Sequence, residues 1–217
     1  MSNNDSFIEE VTEEVRRDKL FALMRRYGWI AILAVVLLVG GAAYNEWRKA
    51  RNTAAAEALG DALISALDET DPAARLAALE KIDAKGDARI VVALMQASAA
   101  QTAGQPETAE KLLQSIVNDS TAPQIYRDMA QLKTVMMLGP DMDKDRRLEA
   151  LKSLDVAGAP YRLLAEEQLA VIDIENGDKK AAIARLQDIY ADSEASAAMR
   201  QRISQLIVAL GGELETS

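Results

Sequence analysis

A chain of 217 residues with no cysteine, no histidine, 25 basic against 34 acidic groups and a formal charge of −9 excludes several chemistries at once. Disulfides, thiolate and imidazole nucleophiles, Cys/His zinc sites and haem ligation through those residues are ruled out, and the negative balance repels phosphate backbones, so nucleic acid is not an expected partner. Apolar residues make up 49% but aromatics only 4%, so the core has to be Ala, Leu, Ile, Val and Met, and the expected fold class is all-α.

Residues 1–26 read as an amphipathic stub. Ser6 followed by Glu9 has the spacing of a capping box, and Ile8, Val11 and Val15 recur at helical spacing. Glu9, Glu10, Glu13 and Glu14 precede Arg16, Arg17 and Lys19, the order that a helix dipole favours. A stub this small cannot bury a core of its own. Its apolar stripe lies on a membrane surface, meets a partner, or simply continues the helix that follows.

Residues 27–47 read as a transmembrane helix. Gly28 to Tyr44 (GWIAILAVVLLVGGAAY) carries no charge and eight Leu, Ile or Val residues. At a rise of about 1.5 Å per residue it covers roughly 26 Å, and its neighbours extend that to the ~30 Å of a hydrocarbon core. Tyr27 and Trp29 at one end and Tyr44 and Trp47 at the other mark two membrane interfaces. An acid-containing segment precedes the apolar stretch, which argues for an uncleaved anchor, although Gly41, Ala42 and Ala43 offer a small-residue pattern that keeps release open. Five basic residues before the span, among them Arg25 and Arg26, face three after it, which puts the N-terminus in the cytoplasm. Gly40 and Gly41 leave a thin patch where a second helix could approach closely, or are ordinary small residues of a span.

Residues 48–217 read as a helical repeat domain. Breaks at Asp71-Pro72, Gly104, Ala122-Pro123, Gly139-Pro140, Ala159-Pro160, Gly177 and Gly211-Gly212 divide it into helices of similar size. Gly104 is followed at fixed offsets by Ala109, Leu113 and Ile116, and Gly177 at the same offsets by Ala182, Leu186 and Ile189. The apolar pair recurs as Leu79/Ile82, Leu113/Ile116, Leu151/Leu154 and Leu186/Ile189, at intervals of 34, 38 and 35 residues. A period near 34 is that of tetratricopeptide-type hairpins. The first helices lack the large aromatic positions of such repeats, and Ala97 and Ala170 stand where those repeats prefer glycine, so the set is divergent; a non-repetitive helical bundle is the alternative. Small residues at 109 and 182 predict close helix crossings, with the Leu/Ile pair filling the next groove. Tyr126 and Tyr161, near the starts of two first helices, are expected either to anchor a partner or to pack between hairpins.

No catalytic, cofactor-binding or metal-binding residues emerge. Asp141, Asp143 and Asp145 resemble the start of a calcium loop, but the required glycine and bidentate glutamate are replaced by Arg146 and Lys152. The run is expected to be a solvated turn with Asp143 or Asp145 capping the next helix. The other carboxylates are scattered, with no acid/base pair, no phosphate loop and no nucleophile elbow, so neither enzyme activity nor a small-molecule substrate is expected.

The stub FIEEVTEEVRRDKLFALMRRYG at Phe7 to Gly28, the single span closed by Tyr44, Trp47 and Arg48, and the alanine-rich divergent repeats together resemble the ancillary SecYEG translocon subunit family, in its alphaproteobacterial branch. The resemblance covers nearly the whole chain. It implies a single-pass bacterial inner-membrane protein whose periplasmic domain sits beside the SecYEG translocon and contacts periplasmic chaperones during protein export. From the residues themselves comes only a tethered helical scaffold, and a coordinator of envelope assembly or cell division acting through self-associating repeats is the alternative function.

Overall fold

The computed structural model describes the backbone of residues 3–213 and the side chains of residues 24–213 other than Ala31. The protein is all-helical: 78% of it is helix, and no strand occurs among the described residues. Nine α-helices follow one another in the described residues: α1 (Asn3–Leu67), α2 (Pro72–Glu80), α3 (Ala88–Thr102), α4 (Pro106–Val117), α5 (Gln124–Leu138), α6 (Lys144–Leu154), α7 (Arg162–Glu175), α8 (Lys179–Ala191) and α9 (Ala197–Ala209). One turn of 3-10 helix, Gly139–Asp141, follows α5. The chain divides into two compact units, Met1–Gly60 and Asp61–Ser217.

The first unit is helical from Asn3 onward. Ser6 therefore lies inside α1 and does not cap it. The side chains of the stub, including those of its amphipathic stripe, lie outside the described residues. No proline interrupts the chain before Pro72, and nothing in the sequence stops the helix until the Asp-Glu-Thr-Asp run at 68–71.

In the second unit, the helix starts and stops are set by local chemistry. Asp71, Asp143 and Asp178 each accept a hydrogen bond from a backbone N–H three residues on, at 2.8, 3.0 and 3.0 Å, and Ser196 does so at 3.2 Å. The acidic turn at 141–145 thus caps α6 through Asp143. Gly104 and Gly177 close α3 and α7 with φ of +72° and +79°, conformations that cost an L-residue roughly 1–2 kcal/mol. The following N–H groups reach back to the Ala100 and Asp173 carbonyls at 2.8 and 2.9 Å, satisfying acceptors the helices leave open.

Each helix from α2 onward packs on its successor. The core is consequently a row of four clusters, each shared by helices adjacent in sequence. Ala66, Leu76, Leu79, Ala99, Ala100 and Ala109 join the end of α1 to α2–α4. Ile90, Ala97, Leu113, Ile116, Ala122 and Ala130 join α3–α5. Leu132, Val135, Leu151, Leu154, Ala165, Leu169 and Ile172 join α5–α7, and Ala170, Leu186, Ile189, Met199, Ile203 and Ile207 join α7–α9. Ala109 and Ala182 are fully buried, as the close-crossing expectation requires, and each Leu/Ile pair lies in the core except Ile82, which is half-buried.

Candidate membrane span and partner-binding face

Within α1, an 18-residue window has a mean hydropathy of 2.0 and none of it is buried. The helix is long and apolar enough to cross a membrane. Ile30, Ile32, Leu33 and Val35 through Val39 all expose large apolar side chains. Burying one such side chain fully is worth about 1.5–3 kcal/mol, so eight left in water would oppose solubility by on the order of 10 kcal/mol. That is comparable with the whole stability of a domain, about 5–15 kcal/mol, and favours a lipid or protein cover.

The residues expected at the two interfaces are exposed on this helix. Tyr27 has the Arg26 guanidinium 5.8 Å from its ring centroid, and Trp47 has that of Arg51 at 5.6 Å. Tyr44 and Trp47 lie 6.1 Å apart in a tilted arrangement. Each end thus places an arginine over an aromatic ring, an arrangement worth about 0.5–1 kcal/mol at an exposed site and suited to a headgroup boundary. Trp29 and Arg25 are exposed as well. Gly40 and Gly41 lie open, since a Cβ at either position would meet nothing within 4 Å.

The two tyrosines proposed for a partner surface are both half-buried. Tyr126, in the first turn of α5, packs against the α3–α5 cluster; Tyr161, immediately before α7, packs against the α5–α7 cluster. Burial raises the Tyr161 phenol above its ordinary value, and Asp128 and Tyr126 add to that, so all three share one neighbourhood. The rings serve packing and surface together, which the sequence left open.

A set of arginines that the sequence reading passed over ties the helices together. Arg89, in the first turn of α3, donates to Asp119 and, at 2.8 Å, to Thr121. Arg162, in the first turn of α7, donates to Asp192 at 2.6 Å and to Glu194 at 2.8 Å, and its other Nη reaches Glu166 at 2.9 Å. Its hydrogen bonds to the Glu194 and Asp192 carboxylates hold the Arg162 proton more firmly than usual. Burial, with Asp155 alongside, raises the Glu166 carboxyl despite Arg162. The signal was available: Arg89 and Arg162 stand fifteen residues before Gly104 and Gly177, and Asp119 and Asp192 fifteen after.

The middle hairpin departs from its neighbours. Four residues before the Leu of the apolar pair stand Ala109 and Ala182 in α4 and α8, but Arg147 in α6. Arg147 is buried and donates to Glu175 at 2.5 Å, while its Nε has no partner. A guanidinium cannot occupy a methyl-sized crossing, and α5 and α6 touch over less of their length than α3 with α4 or α7 with α8. A cavity of about 430 Å³ opens beside them, lined by Gln131 and Thr134 of α5 and Arg146, Glu149 and Ser153 of α6. Gln131 bridges the gap by donating to the Ala150 carbonyl at 2.7 Å and to Ser153 at 2.6 Å.

No group of three or more acidic side chains able to hold a metal ion occurs among the described residues. No curated protein and no solved structure matches the chain. A family model described as a protein of unknown function, DUF2659, matches residues 5–210, and the chain belongs to that family.

Proposed function

We propose that this DUF2659 protein is a membrane-anchored, non-enzymatic adaptor: α1 crosses the bacterial inner membrane, and a divergent tetratricopeptide-like domain serves protein export beside the SecYEG translocon, in contact with periplasmic chaperones. The observation that carries the anchor is the uncharged stretch from Gly28 to Tyr44, none of whose described residues is buried, with an arginine-paired aromatic at each end. The row of hairpins with recurrent buried Ala, Leu and Ile positions supports the repeat reading, since such arrays present extended surfaces to other proteins. The excess of basic residues before the span, Arg25 and Arg26 among them, supports a cytoplasmic N-terminus and a periplasmic helical domain. The translocon and its chaperones enter through the resemblance of the stub, span and repeats to the ancillary translocon subunits.

Site-specific photo-crosslinking tests the proposal. A probe at Gly40 is expected to give adducts with translocon subunits and one at Tyr126 with periplasmic chaperones. Absence of both sets of adducts from cells producing the full chain overturns the export assignment.

A further inference from the structure

Between α7 and α9 a groove of about 360 Å³ opens at the surface of the second unit. Pro160, Leu163 and Leu164 form one apolar wall and Met199 the other. Its volume lies at the small end of ligand clefts, which run from about 300 to 1,000 Å³, so it suits one or two side chains of a larger partner. Two charged residues line it, and they differ in availability. Arg202 donates Nε and Nη2 to the two carboxylate oxygens of Glu167, both at 2.7 Å, and is neutralised within the protein. Glu194 has a side chain 61% exposed and a single ionic contact, to an arginine it shares with Asp192 and Glu166.

The charge around that arginine is unbalanced. Glu166, Asp192 and Glu194 all pair with Arg162, and the neighbouring Arg200 donates to the backbone carbonyls of Tyr190 and Asp192 at 3.3 and 2.7 Å. Three carboxylates against two guanidinia leave a net negative edge on an apolar groove. We propose that this groove receives a segment of a partner polypeptide in which an apolar side chain adjoins a Lys or Arg. The apolar group replaces water against Leu163, Leu164 and Met199, and the cation completes the coordination of Glu194 that Arg162 divides among three acids. A purely neutral segment would fill the groove without relieving that excess, and an acidic one would be repelled by it. The groove is the client-binding part of the adaptor proposed above and rests on that reading for its biological partner. Membrane and translocon cross-links can form with no peptide bound, and a peptide can bind a chain that gives no cross-link, so the two fail separately.

The test uses the full chain in detergent micelles and a fluorescein-labelled peptide, Gly-Lys-Leu-Leu-Lys-Gly, with Gln and Glu replacing both Lys residues in two controls. Anisotropy is expected to show salt-sensitive binding of the Lys peptide, weaker binding of the Gln peptide and none of the Glu peptide. Glu194→Lys is expected to weaken the Lys peptide about tenfold and Glu194→Gln by a smaller factor, both with unchanged circular dichroism. Glu107→Lys, which makes the same charge change on α4, is expected to leave affinity within about twofold. Equal weakening by Glu107→Lys, equal affinity for the Glu peptide, or no binding of the Lys peptide overturns the proposal.

Discussion

Arg162 holds Asp192, thirty residues downstream, at 2.6 Å, and so joins the first turn of α7 to the residue that ends α8. Arg89 likewise holds Asp119, also thirty residues downstream, joining α3 to the turn after α4. In both hairpins, the residue two beyond the aspartate supplies a second acceptor, Thr121 in one and Glu194 in the other. One side chain thus fixes the angle at which a hairpin closes, a task the buried alanines at 109 and 182 cannot perform because a methyl sets distance and not direction.

The first pair makes stability depend on acidity. Asp119 is held at about 2, below the ordinary 3.8, first by the Thr121 hydroxyl, then by the Thr121 N–H and Arg89. A depressed carboxylate contributes stability in full above its unfolded value, and that contribution is lost as pH falls through its folded value, here between about 4 and 2. Asp192 is lowered too, by Arg162 first, and acts in the same direction. Glu166 is raised and acts oppositely, its contribution being lost as pH rises through its folded value. Thr121→Val is therefore expected to move the acid unfolding midpoint, followed by circular dichroism from pH 5 to pH 2, to higher pH. An unmoved midpoint contradicts the role of Thr121.

Removing the second arginine should do more damage than removing the first. Arg162→Met leaves Asp192, Glu194 and Glu166 facing one another, whereas Arg89→Met frees a single carboxylate. At pH 7 the Arg162→Met variant is expected to melt below Arg89→Met, and the gap is expected to narrow at pH 4, where the freed acids take up protons, and in high salt. A gap that widens on acidification would contradict this account of the network.

Ala182 and Arg147 occupy matching places in their hairpins and are expected to fail in opposite ways. Ala182→Leu forces a larger side chain into a fully buried crossing and should cost about 1–3 kcal/mol in urea unfolding. Arg147→Ala removes bulk from a site the middle hairpin is built around and strips Glu175 of its partner, at about 3 kcal/mol. Tolerance of both substitutions would mean that these positions do not set the helix spacing.

The second helices α4 and α8 were legible in the sequence because their core positions recur at one set of offsets from the turn glycine. Ala109, Leu113 and Ile116, like Ala182, Leu186 and Ile189, are all buried where a single offset rule placed them. The first helices were less readable, since the tyrosines at 126 and 161 divide between core and surface and only the three-dimensional arrangement shows how. The arginine ties were harder to read because each aspartate lies thirty residues from its arginine, and only their shared fifteen-residue offsets from Gly104 and Gly177 connect them. The capping box at Ser6 misled for the converse reason: a local pattern with the right spacing lay inside a helix that had already begun.

The apolar stretch gives a direct prediction for the anchor. Leu37→Arg places a charge at its centre, where insertion is disfavoured by about 2.5–3.5 kcal/mol relative to an apolar residue contributing about −0.5. Alkaline extraction of membranes is expected to leave the wild type in the pellet and to shift a substantial fraction of the variant to the supernatant. Release of the wild type itself would point to a cleaved or peripheral protein.

The central claim is that one span holds the helical domain on the periplasmic side, and protease accessibility in spheroplasts tests it most directly. With the outer membrane opened and the inner membrane intact, external protease is expected to digest the domain from Asp61 onward and to leave a short protected fragment containing Gly28 to Tyr44. Protection of the domain until detergent is added would place it in the cytoplasm and contradict the proposed periplasmic adaptor.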